Sequence, residues 1–216
     1  RSFRFPVTPY CSVPAAAAYS VTLTVVPPAP LAFLTAWPAG LAQPGVSSIN
    51  SFAGRVLANS VIIPASADGS IDVFAYNNSD VLMDINGYFA PDDGAGLYYN
   101  PITQCRASDS TTSGGPYADE TARTIAIPSA PACAGIPAAA RAYAINVTAL
   151  PNGNPMPFLT AYPTGQPRPG ASILNAFQGQ VVTNGAIVPS GSNGAIDIYA
   201  YRRTDVVVEI SGYFGR

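Results

Sequence analysis

The sequence contains no histidine and no lysine, and its ten cationic residues are all arginine. Histidine is the commonest general base and metal ligand, and lysine supplies the amine of Schiff-base enzymes. Charged residues make up only 10% of the 216 residues, whereas about 25% is typical of a soluble domain. This composition argues against catalysis by the chain and predicts neither a bound cofactor nor a metal.

Nucleic acid is also not expected as a partner, and no segment is expected to span a membrane. The net charge is −2 and the arginines are scattered, so the chain lacks the basic stripe that holds a phosphate backbone. Residues 5–54 contain no charged side chain, but prolines interrupt them, and a spanning helix needs about 20 consecutive apolar residues. The absence of an initiator methionine and of a signal peptide predicts a mature or excised chain.

Most of the chain consists of two copies of one unit. Residues 33–89 recur at 158–214 with a constant offset of 125, and 27 of these 57 positions are identical. Such self-similarity indicates a duplicated structural unit. Further matches at slightly smaller offsets are Tyr19 with Tyr143, Cys11 with Cys133, and Arg1–Pro6 with Arg123–Pro128.

The predicted domain boundaries follow from this duplication. Residues 1–90 form the first β-domain and residues 123–216 the second. Residues 91–122 occur once, as a turn-rich linker followed by a segment that contains Cys105 and Arg106. The first domain therefore begins part-way through the repeat and lacks this segment.

Within each copy, apolar and polar side chains alternate with a period of two, which is typical of half-buried β-strands. Glycines and prolines separate the alternating stretches, as they do between antiparallel strands. We predict an all-β fold of two tandem antiparallel β-sandwiches of the jelly-roll or immunoglobulin-like type, with β-barrels as the alternative. The predicted core consists of Val21, Leu23, Val25, Ile71, Val73, Val81, Met83 and Ile85 in the first copy and of Ile145, Val147, Ile196, Ile198, Val206, Val208 and Ile210 in the second.

Several short motifs occur along the second copy: Cys133–Pro137, Asn146–Thr148, Phe158–Pro163, Asn175, Asn184, Val188–Pro189 and Asp205–Phe214. Together they resemble a bacterial extracellular repeat domain that occurs in tandem in secreted and cell-surface proteins, often beside cell-wall hydrolase or adhesin-like regions. The resemblance implies an extracellular or cell-surface location and attaches no activity to the β-domain. In that family a Pro-Cys-Arg segment precedes the domain, and a second cysteine lies just before the first long strand. Gln104–Arg106 and Cys133 stand at these places here.

The resemblance implies a disulfide between Cys105 and Cys133. A bond across this separation of 28 residues stabilises a fold by about 3–4 kcal/mol in chain-entropy estimates. Cys11 aligns with Cys133 and has no local partner, which leaves an intermolecular bridge, pairing with Cys105 or a free buried thiol as alternatives. Zinc binding is not expected from three cysteines without histidine or a C-x-x-C motif.

Carboxylates recur at equivalent positions of the two copies: Asp72 and Asp197, Asp80 and Asp205, and Asp84 and Glu209. A glycosidase uses two carboxylates across a cleft, and a calcium loop alternates Asp and Asn ligands. Because each carboxylate here occurs in both copies, we favour structural roles such as the capping of turns over both kinds of site.

Aromatic side chains share one strand face with a carboxylate in each copy. Exposed rings stack on sugars or become buried against another protein chain. The alternative is that a loop or a second sheet of the same domain covers these rings. The candidate interface residues are Phe74, Tyr76, Tyr199, Tyr201, Tyr98 and Tyr99.

These patterns predict a structural subunit of an extracellular bacterial filament or surface assembly. The partner is expected to be the chain itself, through exchange of a β-strand or domain, because the first copy lacks a segment that the second receives. An unpaired sheet edge is a template for a strand from another chain. The alternative is a module that attaches a larger secreted protein to cell-wall glycan.

Overall fold

The computed structural model describes residues 2–91 and 93–216, and the chain divides into two compact units, Arg1–Gly96 and Leu97–Arg216. Each unit has its own hydrophobic core. Unit 1 consists of the strands β1 (Ser2–Pro6), β2 (Ala18–Val26), β3 (Leu31–Pro38), β4 (Ile49–Ser51), β5 (Leu57–Pro64), β6 (Ser70–Ala75) and β7 (Asp80–Phe89), with a short helix, α1 (Val7–Cys11), after β1.

Unit 2 begins with a long strand that precedes the repeated part. Its strands are β8 (Tyr98–Asp109), β9 (Thr121–Ala126), β10 (Ala142–Leu150), β11 (Met156–Pro163), β12 (Leu174–Ala176), β13 (Val182–Pro189), β14 (Ala195–Ala200) and β15 (Asp205–Gly215). Short 3₁₀ turns occur at Ile127–Ser129, Pro131–Cys133 and Ser192–Gly194.

Each unit contains two antiparallel sheets, and the strand orders of the two units match. Unit 1 has β1-β6-β3-β4 and β5-β2-β7, and unit 2 has β9-β14-β11-β12 and β13-β10-β15-β8. The predicted all-β, sandwich-type class is confirmed. Since no sheet closes on itself within the described residues, the alternative of β-barrels is wrong.

One strand distinguishes the units. In unit 2, β15 lies between β10 and β8, whereas among the described residues its counterpart β7 in unit 1 pairs with β2 alone. Residues 91–122 are predicted as a linker plus the segment that contains Cys105 and Arg106, and in the structure unit 2 begins at Leu97. β8 belongs to unit 2 because it pairs with β15 along most of its length.

The two units also differ in how deeply this strand is buried. Val206, Val208 and Ile210 of β15 are completely buried. Their counterparts in β7, predicted as core residues, are only half-buried: Val81, Met83 and Ile85. Their full burial was predicted from alternation, and it fails because β7 has a neighbour on one side only.

The register of β1 also differs from the prediction. Phe5 lies opposite Ile71 and Ile125 lies opposite Ile196, so Phe5 corresponds to Ile125 and not to Ile127. The alignment of Arg1–Pro6 was therefore wrong by two residues. A shift of two residues keeps every side chain on its face of the sheet, and alternation alone does not detect it.

Candidate functional site: the edge of β7 and its covered counterpart

The edge of β15 shows what a covered edge looks like in this fold. β8 runs antiparallel to β15, with Tyr99 opposite Phe214 and Arg106 opposite Glu209. The ladder continues to Ser110, whose N–H donates to the carbonyl of Val206 over 3.0 Å. This pairing supplies β15 with hydrogen-bond partners on its second side.

Side chains of β8, and of Ser110 directly after it, bind the carboxylates of β15. Arg106 Nη2 lies 3.2 Å from Glu209 Oε1, and Gln104 Nε2 donates to Glu209 Oε2 over 3.0 Å. At the other end, the buried Ser110 hydroxyl donates to Asp205 Oδ1 over 2.7 Å. The two repeated acidic positions of β15 thus act as recognition points for β8, which is a structural role.

An aromatic side chain of β8 packs directly on the backbone of β15. A Cβ atom added to Gly212 would collide with the Tyr99 ring, and the Tyr99 hydroxyl donates to the carbonyl of Ser211 over 3.2 Å. The Tyr99 and Phe214 rings are 5.3 Å apart. Gly212 does not have a positive φ, so the ring, and not the backbone conformation, requires glycine at this position.

A disulfide joins β8 to the rest of unit 2. It links Cys105 to Cys133, which is buried at the end of a 3₁₀ turn. This is the pairing that the resemblance implied. The Cys11 thiol is free and exposed, so within this chain it is neither buried nor paired with Cys105.

Residues after β8 close one end of unit 2. Tyr117 is 2% exposed and forms an isolated antiparallel bridge with Thr204. The Arg123 guanidinium lies 4.4 Å from the centre of the Tyr117 ring and donates to the carbonyls of Gly115 and Pro116. Burial raises the pKa of Tyr117 to about 12, partly opposed by the charge of Arg123.

Unit 2 is therefore expected to lose stability as the pH rises from 10 towards 12. The folded state keeps the Tyr117 proton in this range, whereas the unfolded state loses it above its ordinary pKa of 10.0. The contribution of Tyr117 to the free energy of unfolding is fully present below pH 10 and is lost as the pH rises to about 12. The total loss is up to about 3 kcal/mol. Chemical denaturation at a series of pH values from 8 to 11.5 measures the decline.

Tyr117→Phe is the matched control because it keeps the ring and removes the ionisable group. Burial also raises the pKa values of Tyr143 and Tyr162, so only the difference between the two proteins reports on Tyr117. Equal pH dependence in wild type and Tyr117→Phe would contradict the prediction.

In unit 1, the corresponding edge lacks these contacts. Among the residues that the structure describes, the Asp84 carboxylate has neither a hydrogen bond nor an ion pair, and burial raises its pKa. Around a Cβ built on Gly87, the nearest atom is Ser20 Cβ at 3.8 Å. Beside it, Asn86 Oδ1 is buried without a hydrogen-bond donor. β7 thus carries the features that β15 uses to hold β8, but not the strand itself.

Repetition in the sequence predicts structural roles for Asp80 and Asp84, but it does not predict the contacts of Gly212 and Arg106 across β8 and β15. A signal for Gly212 is present, because glycine inside an alternating strand marks a bulge or a close approach of another group. The signal for Arg106 was its place beside Cys105 in the segment that occurs once.

The remaining pair of repeated carboxylates, Asp72 and Asp197, stabilises loops and edge strands. Asp72 accepts hydrogen bonds from Arg4 Nε over 3.0 Å and from the Gly40 N–H over 2.9 Å, and the contact with Arg4 lowers the pKa of Asp72. Asp197 accepts hydrogen bonds from the hydroxyls of Thr124 and Thr164. These contacts support the structural roles expected for this pair.

The predicted aromatic faces form compact ring clusters in both units. The Phe33 ring lies 5.7 Å from Phe74 and 5.1 Å from Tyr76, and Tyr76 is 62% exposed. In unit 2 the rings are those of Phe158, Tyr199 and Tyr201, and arginines cover them: Arg168 lies 4.0 Å from the Tyr199 ring and Arg202 lies 4.9 Å from the Tyr201 ring. The cluster of unit 1 is therefore the more open of the two.

The two remaining candidate tyrosines lie at the start of β8. Tyr98 and Tyr99 are 55% and 47% exposed, but part of the Tyr99 ring is used inside unit 2, against Gly212.

The described part of the chain contains no group of three or more Cys, Asp or Glu side chains placed to hold a metal ion. None of its helices is long and apolar enough to cross a membrane. Comparison with protein-family models and with curated protein sequences finds no match for this chain.

Proposed function

We propose that the chain is a non-enzymatic structural subunit of an extracellular bacterial filament or surface assembly. It self-associates through exchange of a β-strand or domain. The observation that carries this proposal is the unpaired edge of β7, which has the strand neighbours of β15 except for β8. An unpaired edge presents free backbone N–H and C=O groups and templates the addition of another strand.

The core of unit 1 adds a second driving force. Val81, Met83 and Ile85 are half-buried, whereas their counterparts in unit 2, where β8 is present, are completely buried: Val206, Val208 and Ile210. Completing the sheet removes their apolar surface from water, and each buried methylene contributes about 0.8 kcal/mol. Backbone pairing and apolar burial therefore both favour a strand beside β7.

The stoichiometry limits how copies of the chain combine. Each chain has one β8 and two positions that fit such a strand, and the disulfide ties β8 to unit 2. Self-association therefore uses either another extended segment of a neighbouring copy or an exchange of β8 that leaves its own unit open. Either contact is head-to-tail and extends into a fibre unless the rotation between copies closes a ring.

The extracellular location is part of the proposal. It is supported by the disulfide between Cys105 and Cys133, since disulfides persist in oxidising compartments. The resemblance of the second copy to extracellular repeat domains points to the same compartment.

Negative-stain microscopy of the purified chain at increasing concentration under oxidising conditions tests self-association. We expect regular polymers, because strand addition at β7 is heterologous. A chain that stays monomeric at high concentration, by light scattering as well as microscopy, contradicts the proposal.

The alternative function is attachment to cell-wall glycan. It is favoured by the open ring cluster of Phe33, Phe74 and Tyr76, since aromatic faces stack on sugar rings. Monomers that sediment with isolated cell wall, and no longer do so when Tyr76 is replaced by Ala, would favour this function over self-association.

A further inference from the structure

A small cavity opens beside the Phe33 ring, between β3 and the loop that leads to β4. Its volume is about 300 Å³, at the lower end of the range for small-molecule sites. Phe33 is partly exposed and lies outside the hydrophobic core of unit 1. All lining residues lie within positions 33–50, and β3 and β4 form the side of their sheet that is remote from β1. One continuous segment therefore builds the cavity.

The lining of this cavity is uncharged and has both apolar and hydrogen-bonding parts. The Phe33 ring and the exposed Val46 side chain supply the apolar surface. Amide and hydroxyl groups of Gln43, Ser47 and Asn50 lie around it. A sugar ring has the complementary structure, because the C–H groups of one face pack on an aromatic ring while the hydroxyls at its edge donate and accept hydrogen bonds. The cavity offers no ion-pair partner to a charged ligand.

Two of the polar side chains are held in place by the fold. The pairing of β3 with β4 shifts register between Leu31 and Leu34, so the carbonyl of Ala32 is available to a side chain. Asn50 Nδ2 donates to this carbonyl over 2.6 Å, and the Ser47 hydroxyl donates to Asn50 Oδ1 over 2.8 Å. The Ser47 oxygen can still accept a hydrogen bond, and Nδ2 of Asn50 has a second N–H to donate. Because both side chains are already ordered, a ligand immobilises little.

The two units differ at one position of this site. Gln43 corresponds to Arg168 through the offset of 125, whereas the phenylalanine, the serine and the asparagine of the cavity recur in unit 2. The Arg168 guanidinium lies 5.7 Å from the centre of the Phe158 ring and 4.0 Å from that of Tyr199, so it covers the rings of unit 2. The Gln43 side chain forms no hydrogen bond within the described part of the chain, and its amide is available to a ligand.

We propose that the cavity of unit 1 binds one uncharged sugar ring of a glycan, which stacks on Phe33 and forms hydrogen bonds with Gln43, Ser47 and Asn50. In unit 2, Arg168 closes the equivalent site. The inference rests on the alternative function, attachment to glycan, and adds to it the site and the class of ligand. It does not depend on self-association.

The probes are chitotriose and cellotriose, two trisaccharides with uncharged rings. Titration of the full chain, followed by saturation-transfer NMR, is expected to show saturable binding of at least one of them. Phe33→Ala should weaken this binding about tenfold or more, a difference of about 1.4 kcal/mol, because it removes the ring on which the sugar stacks. Circular dichroism melts establish that this and the following variants fold.

An exchange between the two units tests position 43. Gln43→Arg should weaken binding as Phe33→Ala does, because an arginine then covers the ring as in unit 2. Gln166→Arg is the matched control, since it adds the same charge at an exposed position of unit 2, and it should leave binding unchanged. Arg168→Gln, introduced into the Phe33→Ala chain, should restore binding because it opens the equivalent site. Failure to restore it contradicts the role assigned to Arg168.

The site and the attachment to cell wall fail in different ways. A chain that binds a trisaccharide in this pattern but does not sediment with cell wall keeps the site and loses the alternative function. A chain whose sedimentation with cell wall is unchanged by Phe33→Ala and Gln43→Arg keeps that function and overturns this site. Absence of saturable binding of both trisaccharides to the folded wild-type chain, or binding that neither variant changes, also overturns the inference.

Discussion

Replacing Ile210 by Asp is expected to unfold unit 2 or to bring it close to unfolding. Ile210 is completely buried in β15, opposite Cys105 of β8 and Ile145 of β10. An uncompensated charge at such a place costs about 3–5 kcal/mol, and a folded domain is stable by only about 5–15 kcal/mol. Equilibrium denaturation measured by circular dichroism gives the loss.

The duplication supplies a control for this variant. Ile85 occupies the equivalent place in β7 but is half-buried, so an aspartate there keeps part of its hydration and should cost clearly less. Ile210→Val keeps the apolar character and should cost about 0.5–1.5 kcal/mol. An Ile210→Asp protein that melts within a degree or two of wild type would refute the assignment of Ile210 to the core.

The single tryptophan shows which unit is affected. Trp37 lies in β3 of unit 1 and is buried, so its fluorescence reports on unit 1 alone. If the units fold independently, as their separate cores suggest, the Trp37 transition is unchanged in Ile210→Asp while the dichroism transition shifts.

Much of the fold was predictable because both copies carry the same local signals. Alternation along β2 and β10 predicts strands, and Val21 and Val147 are buried as expected. The repeated asparagines also act alike: Asn59 donates to the carbonyl of Ser48 and Asn184 to that of Ile173. Signals of this kind are local, and the sequence displays them directly.

The incomplete burial of β7 was not predictable from alternation. The sequence of Val81, Met83 and Ile85 matches that of a core strand, and their exposure depends on whether another strand lies beside them. A neighbour in a sheet is a long-range property that periodicity does not encode. The same limit applies to β8, whose pairing with β15 joins residues about 100 positions apart in the sequence.

The candidate site was predictable in part. The segment that occurs once in the sequence marked a difference between the two copies, and the structure shows that it is an edge strand of unit 2 with a ring and an arginine at defined places. The contact of the Tyr99 ring with Gly212 became visible only in three dimensions, because the two residues are far apart in the sequence.

Removal of the disulfide is the second change with a large expected effect. Replacing Cys105 and Cys133 by Ala should lower the free energy of unfolding of unit 2 by about 3–4 kcal/mol, because the bond closes a separation of 28 residues. Reduction of the wild-type chain should produce a similar loss. The Trp37 fluorescence transition of unit 1 is the internal control and should not move. A dichroism melt unchanged by both treatments would contradict the prediction.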